Sequence, residues 1–279
     1  MSNGFVNRRL WVRVPSSAFF AQTQFACGTF MRKYIVLLFL LSAAVTNAQK
    51  TPAEIAEMYG NAIVSVNVLK EDGSTYSGTG FIANSDGLIA TAGHVVENAA
   101  FINLTFKNGV VSEEAIVIDK SPNKEIDLAL LKINNRNLPY VQFKNADYVK
   151  AGDPIIVIGN PRRLQNTVTD GLISQIRRVS KGVIWLQISA PISPSSSGSP
   201  VFDKDGRVIA MALSSLKGTD IQNINFAIPS NYLMQMMRKN GYIVPMPQKK
   251  VYENTVWGRL KEHCAKSWRI LKSKISAIF

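Results

Sequence analysis

Three polar residues, His94, Asp127 and Ser197, have the chemistry to activate a hydroxyl group for nucleophilic attack. A serine hydroxyl is a weak nucleophile until an imidazole accepts its proton, and the imidazole needs a partner that fixes its tautomer. The order His, Asp, Ser along the chain is one of the known orders for such a triad. We therefore predict Ser197 as nucleophile, His94 as general base and later general acid, and Asp127 as the residue that orients His94.

The local sequence supports these assignments and leaves neighbouring residues as alternatives. Ser197 begins the sequence Ser-Gly-Ser-Pro, and Ser196 or Ser195 would be the next candidate nucleophile in the same serine run. Asp127 opens the apolar run Asp-Leu-Ala-Leu-Leu-Lys-Ile, and Asp119, at the end of an earlier apolar run, is its alternative. The backbone N–H groups of Ser195 and Ser197 are the predicted donors to an oxyanion.

The elements that position these residues are predicted to be short strands. Apolar or alternating runs, separated by Asn-Gly, Asp-Gly and Gly-rich turns, fill most of the chain. Such a pattern is typical of an all-β barrel or sandwich. The predicted strands are Ile63–Leu69, Thr79–Ala83, Leu88–Ala92, Phe101–Phe106, Val110–Ile118, Leu128–Ile133, Ile155–Ile158, Thr167–Ile176, Val183–Ile188, Val201–Phe202, Val208–Leu213 and Ile224–Ile228. The polar stretch Asn134–Gly152 divides them into two sets of six. We expect two six-stranded antiparallel barrels, with His94 and Asp127 on the first and Ser197 on the second.

Two helices are predicted to flank the strands. Thr51-Pro52-Ala53-Glu54 is a capping box with proline at the first helical position, so a short helix should run to about Gly60. A second helix should begin at Ser230 and stop at Gly241, since glycine is favoured just after a helix end.

The N-terminal region has the pattern of an export signal. Residues 31–48 start with Met-Arg-Lys, continue with a short apolar run and end with the small residue Ala48, which predicts a secretory signal peptide. The run is shorter than the ~20 apolar residues of a membrane span, and an uncleaved anchor is the alternative. Residues 1–30 are then interpreted as a misassigned upstream extension, or as an unusually long leader. The folded body is predicted to span residues 49–244, and the protein to be exported to the periplasm or secreted.

The C-terminal segment, residues 245–279, is predicted to contain a basic amphipathic helix. Apolar residues recur every three or four positions over residues 255–279, and lysine and arginine occupy much of the remainder. One interpretation is contact with an anionic membrane surface. The other is packing of the helix on the barrels or on a partner subunit.

Composition excludes several classes of function for the body of the chain. The net charge is +13, but most of it lies outside residues 49–244, which retain about +2 by difference. This is too little to predict nucleic-acid binding. The two cysteines, Cys27 and Cys264, and one of the two histidines, His263, also lie outside the body. We therefore expect no internal disulfide and no metal site.

Five ordered segments resemble the HtrA/Deg family of trypsin-fold serine proteases. They are Gly78–Ile82 with Gly87–Val96, Asp127–Lys132, Gly159–Pro161 with Val168–Ser174, Ala190–Val201, and Asn225–Pro229. The resemblance implies a trypsin-like pair of barrels and cofactor-free endopeptidase activity on polypeptides, with protein quality control in the cell envelope as the expected duty. Members of the family often assemble as trimers, so a homo-oligomer is a further expectation, although the segments that form such contacts are not recognisable here.

The chain departs from the family pattern at three points. Ser195 stands where the family usually has glycine, and serine tolerates unusual backbone angles less well. Ser199 likewise replaces a common glycine. Only 38 residues follow residue 241, so we expect no PDZ domain.

The residues expected to select the substrate are apolar. Pro191 stands six residues before Ser197, where a trypsin-like fold can carry a carboxylate that selects basic side chains. Ile192 and Leu213 are the predicted lining of the pocket, which favours cleavage after small or medium apolar residues. Glutamate-specific relatives use a histidine downstream of the nucleophile. The only such histidine here is His263 in the C-terminal segment, so cleavage after glutamate is not expected.

Two hypotheses of different classes follow from these residues. The first is an exported serine endopeptidase that cleaves exposed or unfolded protein segments. The second is a protease-fold binding protein whose turnover is impaired by Ser195 and which docks through its C-terminal segment.

Overall fold

The computed structural model describes residues 49–112, 114–160, 166–213 and 224–247. These residues form twelve strands in two antiparallel sheets, with one helix before and one after the strands. The predicted signal peptide, residues 31–48, and the predicted amphipathic helix, residues 255–279, lie outside the described residues.

The first sheet contains six strands in the order β4-β1-β2-β3-β6-β5. Their bounds are β1 Ile63–Lys70, β2 Thr75–Asn84, β3 Leu88–Thr91, β4 Ala99–Thr105, β5 Ile116–Lys120 and β6 Ala129–Lys132. Val64, Val66 and Val68 alternate on β1 and are buried, as expected for a strand with one face on a core. The edge strands β4 and β5 are not paired directly, but the Ala115 N–H donates to the Ile102 carbonyl and thereby ties the approach to β5 onto β4.

The second sheet is a closed barrel in the order β10-β11-β12-β9-β8-β7. Its strands are β7 Pro154–Gly159, β8 Thr167–Arg178, β9 Ile184–Ile188, β10 Pro200–Phe202, β11 Val208–Ala212 and β12 Asn225–Pro229. Closure leaves no unpaired edge, and the short strands β10, β11 and β12 are buried along their whole length. The predicted all-β fold with two six-stranded antiparallel units and flanking helices is confirmed, although only the second unit closes fully.

The strand predicted over Val110–Ile118 is wrong in its first half. Only Ile116–Lys120 forms a strand, and Val110 and Val111 are more than half exposed. The turn Lys107-Asn108-Gly109 reverses the chain, and the Phe106 N–H donates to the Val110 carbonyl across it. Valine has a high strand propensity, but here a hairpin end places the two valines beyond the core.

Helix α1, Pro52–Tyr59, has the predicted capping box. The Glu54 N–H donates to Thr51 Oγ1 at 3.3 Å, and the Thr51 N–H donates to Glu54 Oε2 at 2.7 Å. The Tyr59 ring stacks on Phe202 of the second barrel with a centroid separation of 5.1 Å. The N-terminal helix therefore packs against β10 rather than extending into solvent.

Helix α2, Ser230–Lys239, follows β12 directly and buries Leu233, Met234 and Met237. Gly241 has a φ of +77°, which is the left-handed conformation that glycine adopts readily at a helix end. The predicted stop at Gly241 is therefore confirmed. No helix among the described residues is long and apolar enough to cross a membrane.

The segment between the two sheets, residues 134–152, contains apolar residues that pack against both sheets. Phe143 is fully buried, and its ring lies 6.3 Å from that of Phe81 on β2. The main chain around it also bonds to the second barrel, because the Val208 N–H donates to the Gln142 carbonyl and the Lys144 N–H donates to the Val208 carbonyl. The link thus fixes the first sheet against the barrel that carries Ser197.

Asp119 ties β5 to the end of α2 and gives a pH-dependent contribution to stability. The Asn240 amide donates to its carboxylate at 2.7 Å and Lys239 at 3.0 Å, and these contacts lower the pKa of Asp119. A lowered folded-state pKa stabilises the fold above the pKa of the unfolded chain, and the benefit is lost as the pH falls through the folded value.

We expect Asp119→Asn to lower the free energy of unfolding by about 0.5–1 kcal/mol at pH 7, a size that allows for solvent screening of Lys239. The difference in unfolding free energy between the variant and the unmodified protein should narrow as the pH falls through the lowered pKa of Asp119. Urea denaturation at a series of pH values measures it. Asp170→Asn is the control, because it changes an exposed carboxylate on β8, away from Asp119. A gap that is constant with pH would contradict the assignment.

Candidate active site

Glycines allow the segment that carries His94 to lie close against its neighbours. The 3-10 helix Gly93–Val96 follows β3, and a Cβ at Gly78 of β2 would lie 2.6 Å from the Val95 side chain. A Cβ at Gly93 would lie 2.9 Å from Asp127 Oδ1. Both positions therefore need glycine because the chains approach closely. The result is that His94 and Asp127 lie side by side at one end of the first sheet.

The carboxylate of Asp127 contacts His94 at two points. Its Oδ1 accepts the main-chain N–H of His94 at 2.7 Å, and its Oδ2 pairs with the ring atom Nδ1. The side chains are 29% and 20% exposed, so both contacts are partly shielded from water. A carboxylate at Nδ1 favours the tautomer with its proton there, which leaves the lone pair on Nε2.

The loop that carries Ser197 lies against the first sheet. Ser197 is 3% exposed, and its carbonyl accepts the Thr79 N–H of β2 at 2.9 Å. The next residue, Gly198, has a φ of +93°, and a Cβ there would lie 2.0 Å from the Thr79 carbonyl and 3.1 Å from the Ala92 nitrogen. Glycine is required at this position, and the close approach brings the loop to the strand that leads into His94.

The ring of His94 is not hydrogen-bonded to Ser197 in this structure. Its Nε2 is buried and has no hydrogen-bond partner among the described residues. Such contacts are often long in an unliganded site and shorten when substrate binds. The structure thus pairs His94 with Asp127 and places the Ser197 loop beside them. The hydrogen bond between His94 and Ser197 that a triad requires is not formed.

The alternatives to Asp127 and Ser197 have other contacts. The Asp119 carboxylate is occupied by Asn240 and Lys239, as described above. The Ser196 main chain is bonded on both sides within its loop, because its N–H donates to the Ser193 carbonyl and its own carbonyl accepts the Ser199 N–H. Asp127, and not Asp119, therefore contacts His94. The choice of Ser197 over Ser196 and Ser195 stays a prediction.

Ser195 adopts a left-handed backbone conformation, which glycine adopts more readily than serine. Its φ is +70°, and it is the third residue of a turn closed by the bond from the Ser196 N–H to the Ser193 carbonyl. Proline at the second position, Pro194, and a positive φ at the third are the features of a type II turn. A non-glycine residue in this conformation costs roughly 1–2 kcal/mol. The substitution by serine is therefore accommodated at the expense of local strain.

Neither the Ser195 nor the Ser197 N–H donates a hydrogen bond to any residue in the described ranges. In particular, the Pro194 carbonyl does not accept the Ser197 N–H, so the turn does not close into a helical turn that would occupy this donor. Two N–H groups without a partner beside a candidate nucleophile are compatible with the predicted oxyanion donors, whose role stays a prediction.

The predicted pocket residues lie in different parts of the core. Ile192 is partly buried and packs on the cluster inside the second barrel. Leu213 is 8% exposed, and its N–H donates to the Phe226 carbonyl of β12. Leu213 is the last residue described before the chain resumes at residue 224, so the pocket itself remains a prediction.

A cavity of about 320 Å³ borders His94 and Asp127. Glu97, Lys120 and Lys124 line its outer part, so its rim carries charges of both signs. A larger cavity of about 540 Å³ lies over strands β1, β2 and β4 and touches none of the predicted site residues. The smaller cavity borders His94 and Asp127, whereas Ser195 and Ser197 do not line it. No group of three or more metal-ligating side chains occurs in the described part of the chain.

Three further residues support the site and have no role in the prediction from sequence. The Asn225 amide donates to the Ala190 carbonyl at 2.8 Å and holds the start of the Ser197 loop against β12. The Thr79 hydroxyl donates to the Ser195 carbonyl of this loop at 2.8 Å, and the Asn160 N–H donates to the same hydroxyl at 3.0 Å. All three are buried polar residues within apolar strands or at a strand end, which is the one signal that the sequence offered.

Comparison with known proteins supports a peptidase domain. A family model described as a trypsin-like peptidase domain matches residues 78–211. A probable periplasmic serine endoprotease, DegP-like, from Chlamydia pneumoniae is 39% identical over 174 residues, which are 60% of this chain and 35% of that protein. The human serine protease HTRA4 is 38% identical over 170 residues, 58% of this chain and 34% of that protein.

A solved structure is similar over most of the same region. The HtrA-type protease AlgW with a tripeptide matches with a TM-score of 0.60 and 28% identity, covering 70% of this chain and 65% of that one. The chain spans about a third of the length of the two curated relatives named above. The similarity therefore concerns the domain that contains both sheets.

We expect Ser195→Gly to keep or raise the rate at which Ser197 reacts with a fluorophosphonate probe, because glycine adopts a φ of +70° without strain. Ser195→Val should lower the rate and destabilise the fold by more than about 1 kcal/mol, since a β-branched residue rarely has a positive φ. Labelling kinetics and thermal unfolding of the two variants measure these effects. Equal behaviour of the glycine and valine variants would contradict the backbone assignment.

Ser199 and Gly159 form a second test of packing beneath the loop. Ser199 Oγ is buried without a hydrogen-bond partner, and a Cβ at Gly159 would lie 2.3 Å from it. We expect Gly159→Ala to cost about 1–3 kcal/mol of unfolding free energy through overpacking. Adding Ser199→Gly should recover most of the loss, as urea denaturation of the two single variants and the double variant would reveal. A double variant no more stable than Gly159→Ala would exclude this clash as the cause.

Proposed function

We propose that this chain, which carries a trypsin-like peptidase domain similar to those of the HtrA and DegP proteases, is a serine endopeptidase of exposed or unfolded protein segments. The observation that carries the proposal is the double contact of Asp127 with His94 beside an unpaired Nε2. This arrangement prepares the imidazole to accept a proton and to be stabilised once it is charged.

In the proposed mechanism, His94 accepts the proton of Ser197 as the hydroxyl oxygen attacks the carbonyl carbon of the scissile peptide bond. The resulting tetrahedral intermediate carries a negative oxygen. His94 then donates its proton to the leaving amine, and an acyl-enzyme forms at Ser197. Water activated by the same imidazole hydrolyses the acyl-enzyme and restores the hydroxyl.

The N–H groups of Ser195 and Ser197 are the proposed donors to the negative oxygen. They are free of other bonds among the described residues, and the left-handed turn at Ser195 supports their common orientation. Loss of one such donor typically reduces turnover by about 10²–10³-fold. The proposal therefore depends on the backbone conformation of Ser195 as well as on His94.

The proposed substrate is an extended polypeptide that adds as a strand beside the cleft. Ile192 and Leu213 are the proposed lining of the pocket for the residue before the cleaved bond, and their apolar side chains favour small or medium apolar residues there. No cofactor is needed for this chemistry. Sequencing the products of a digested unfolded protein would test the preference.

The proposed location is outside the cytoplasm. Residues 31–48 have the pattern of a signal peptide, and the relative from Chlamydia pneumoniae is named as a probable periplasmic endoprotease. Protein quality control in this compartment is the proposed duty. Membrane-surface contact through residues 255–279 and assembly with other copies of the chain are further proposals, which sedimentation with anionic vesicles and size measurement would test.

Replacing the nucleophile is the direct test of the activity. We expect the wild-type chain to react with a fluorophosphonate probe and to cleave unfolded casein. Ser197→Ala should abolish labelling and reduce cleavage by about 10⁶-fold, the size observed when a nucleophile is removed from this kind of machinery. Mass spectrometry of the labelled chain measures the first effect and release of casein fragments the second.

Ser196→Ala is the matched control, because it changes the neighbouring hydroxyl in the same loop. This variant should retain labelling. Labelling that survives in Ser197→Ala and vanishes in Ser196→Ala would move the nucleophile by one residue. A folded wild-type chain that is neither labelled nor active would favour the binding-protein hypothesis.

A further inference from the structure

A single residue of the first sheet holds the Ser197 loop at two places. Thr79 lies on β2 between two glycines and is completely buried. Its main-chain N–H donates to the Ser197 carbonyl at 2.9 Å, and its side-chain hydroxyl donates to the Ser195 carbonyl at 2.8 Å. The two residues whose N–H groups are proposed to bind the oxyanion are therefore both bonded to Thr79 through their carbonyls.

The same hydroxyl also accepts a hydrogen bond. The Asn160 N–H, at the end of β7, donates to Thr79 Oγ1 at 3.0 Å, and the Thr91 hydroxyl donates to the Thr79 carbonyl at 2.7 Å. All polar groups of Thr79 are thus satisfied, with two bonds to the Ser197 loop, one to Asn160 and one to Thr91. Serine and threonine are the only residues of this size that can donate and accept through one oxygen atom.

The bond to Ser195 acts on the strained part of the loop. The peptide between Ser195 and Ser196 is held on both sides, since its carbonyl accepts the Thr79 hydroxyl and its N–H donates to the Ser193 carbonyl. This fixes ψ of Ser195 while φ stays at +70°. A hydrogen bond contributes about 1 kcal/mol, which is comparable to the roughly 1–2 kcal/mol cost of the left-handed conformation. Loss of the hydroxyl would therefore remove a stabilising contribution of about the same size as this strain.

We infer that Thr79 is a positioning residue that keeps the two oxyanion donors oriented and offsets the strain at Ser195. The inference rests on the proposed function. It adds that a buried hydroxyl of the first sheet, 116 residues from Ser195 in the chain, sets the geometry of the loop in the second barrel. Thr79 itself touches no reacting atom.

The test compares Thr79→Val, which has nearly the same shape without the hydroxyl, with Thr79→Ser, which retains it, in the full chain. For Thr79→Val we expect a 10- to 100-fold fall in kcat and in the fluorophosphonate labelling rate, part of the loss expected for a missing oxyanion donor. KM should change by less than about threefold, because the effect is confined to the transition state. Thr79→Ser should restore both rates to near the wild-type value.

Ile82→Val is the control for stability. It lies on the same strand, is fully buried and costs about 0.5–1.5 kcal/mol without removing a hydrogen bond. Its kcat should stay at the wild-type value. Equal kcat in the wild type and Thr79→Val, or a similar fall in Ile82→Val or Thr79→Ser, would overturn the inference.

Amide hydrogen exchange separates failure of this inference from failure of the proposed function, because it needs no activity. Thr79→Val should speed exchange at the Ser196 and Ser199 amides about tenfold or more, whereas Thr79→Ser and Ile82→Val should not. Faster exchange with an inert wild type would support the positioning role and refute the protease. Unchanged exchange and labelling in Thr79→Val, in an active wild type, would refute the positioning role alone.

Discussion

The site depends on the contact between the two sheets, because its residues come from both of them. A strand of the first sheet must therefore hold the Ser197 loop of the second in place. Strand β2 meets this constraint with the main chain and the hydroxyl of Thr79. The loop in turn has glycine at residue 198, where any side chain would overlap the Thr79 carbonyl. Hydrogen bonding and close packing therefore act at the same point, and neither would hold the loop as well alone.

The pairing of His94 with Asp127 is comparatively local. His94 follows β3 and Asp127 precedes β6, which pairs directly with β3, and a single carboxylate contacts the main chain and the ring of the histidine. The proposed general base is thus oriented within one sheet, whereas the proposed nucleophile and oxyanion donors depend on how the second barrel is attached. This division explains why the packed link around Phe143 and the contact between Tyr59 and Phe202 bear on the chemistry although they lie away from the cleft.

Most of the secondary structure could be predicted because it depends on patterns of neighbouring residues in the sequence. Apolar runs separated by turn residues located all twelve strands, and the capping box at Thr51 and the glycine at residue 241 located the helix ends. The exception is informative. Val110 and Val111 have the propensity of a strand but lie exposed at a hairpin, since propensity does not tell how far a sheet continues.

The sequence by itself determined which residues were candidates for the chemistry, because one histidine lies in the folded body and the motifs around Asp127 and Ser197 follow it in order. Only the tertiary structure decided how Ser195 accommodates a position that usually has glycine, and that Thr79, Asn160 and Asn225 hold its surroundings. The physical reason is that a backbone angle and a hydrogen bond spanning 116 residues depend on the packing of two sheets, and no local periodicity encodes that packing.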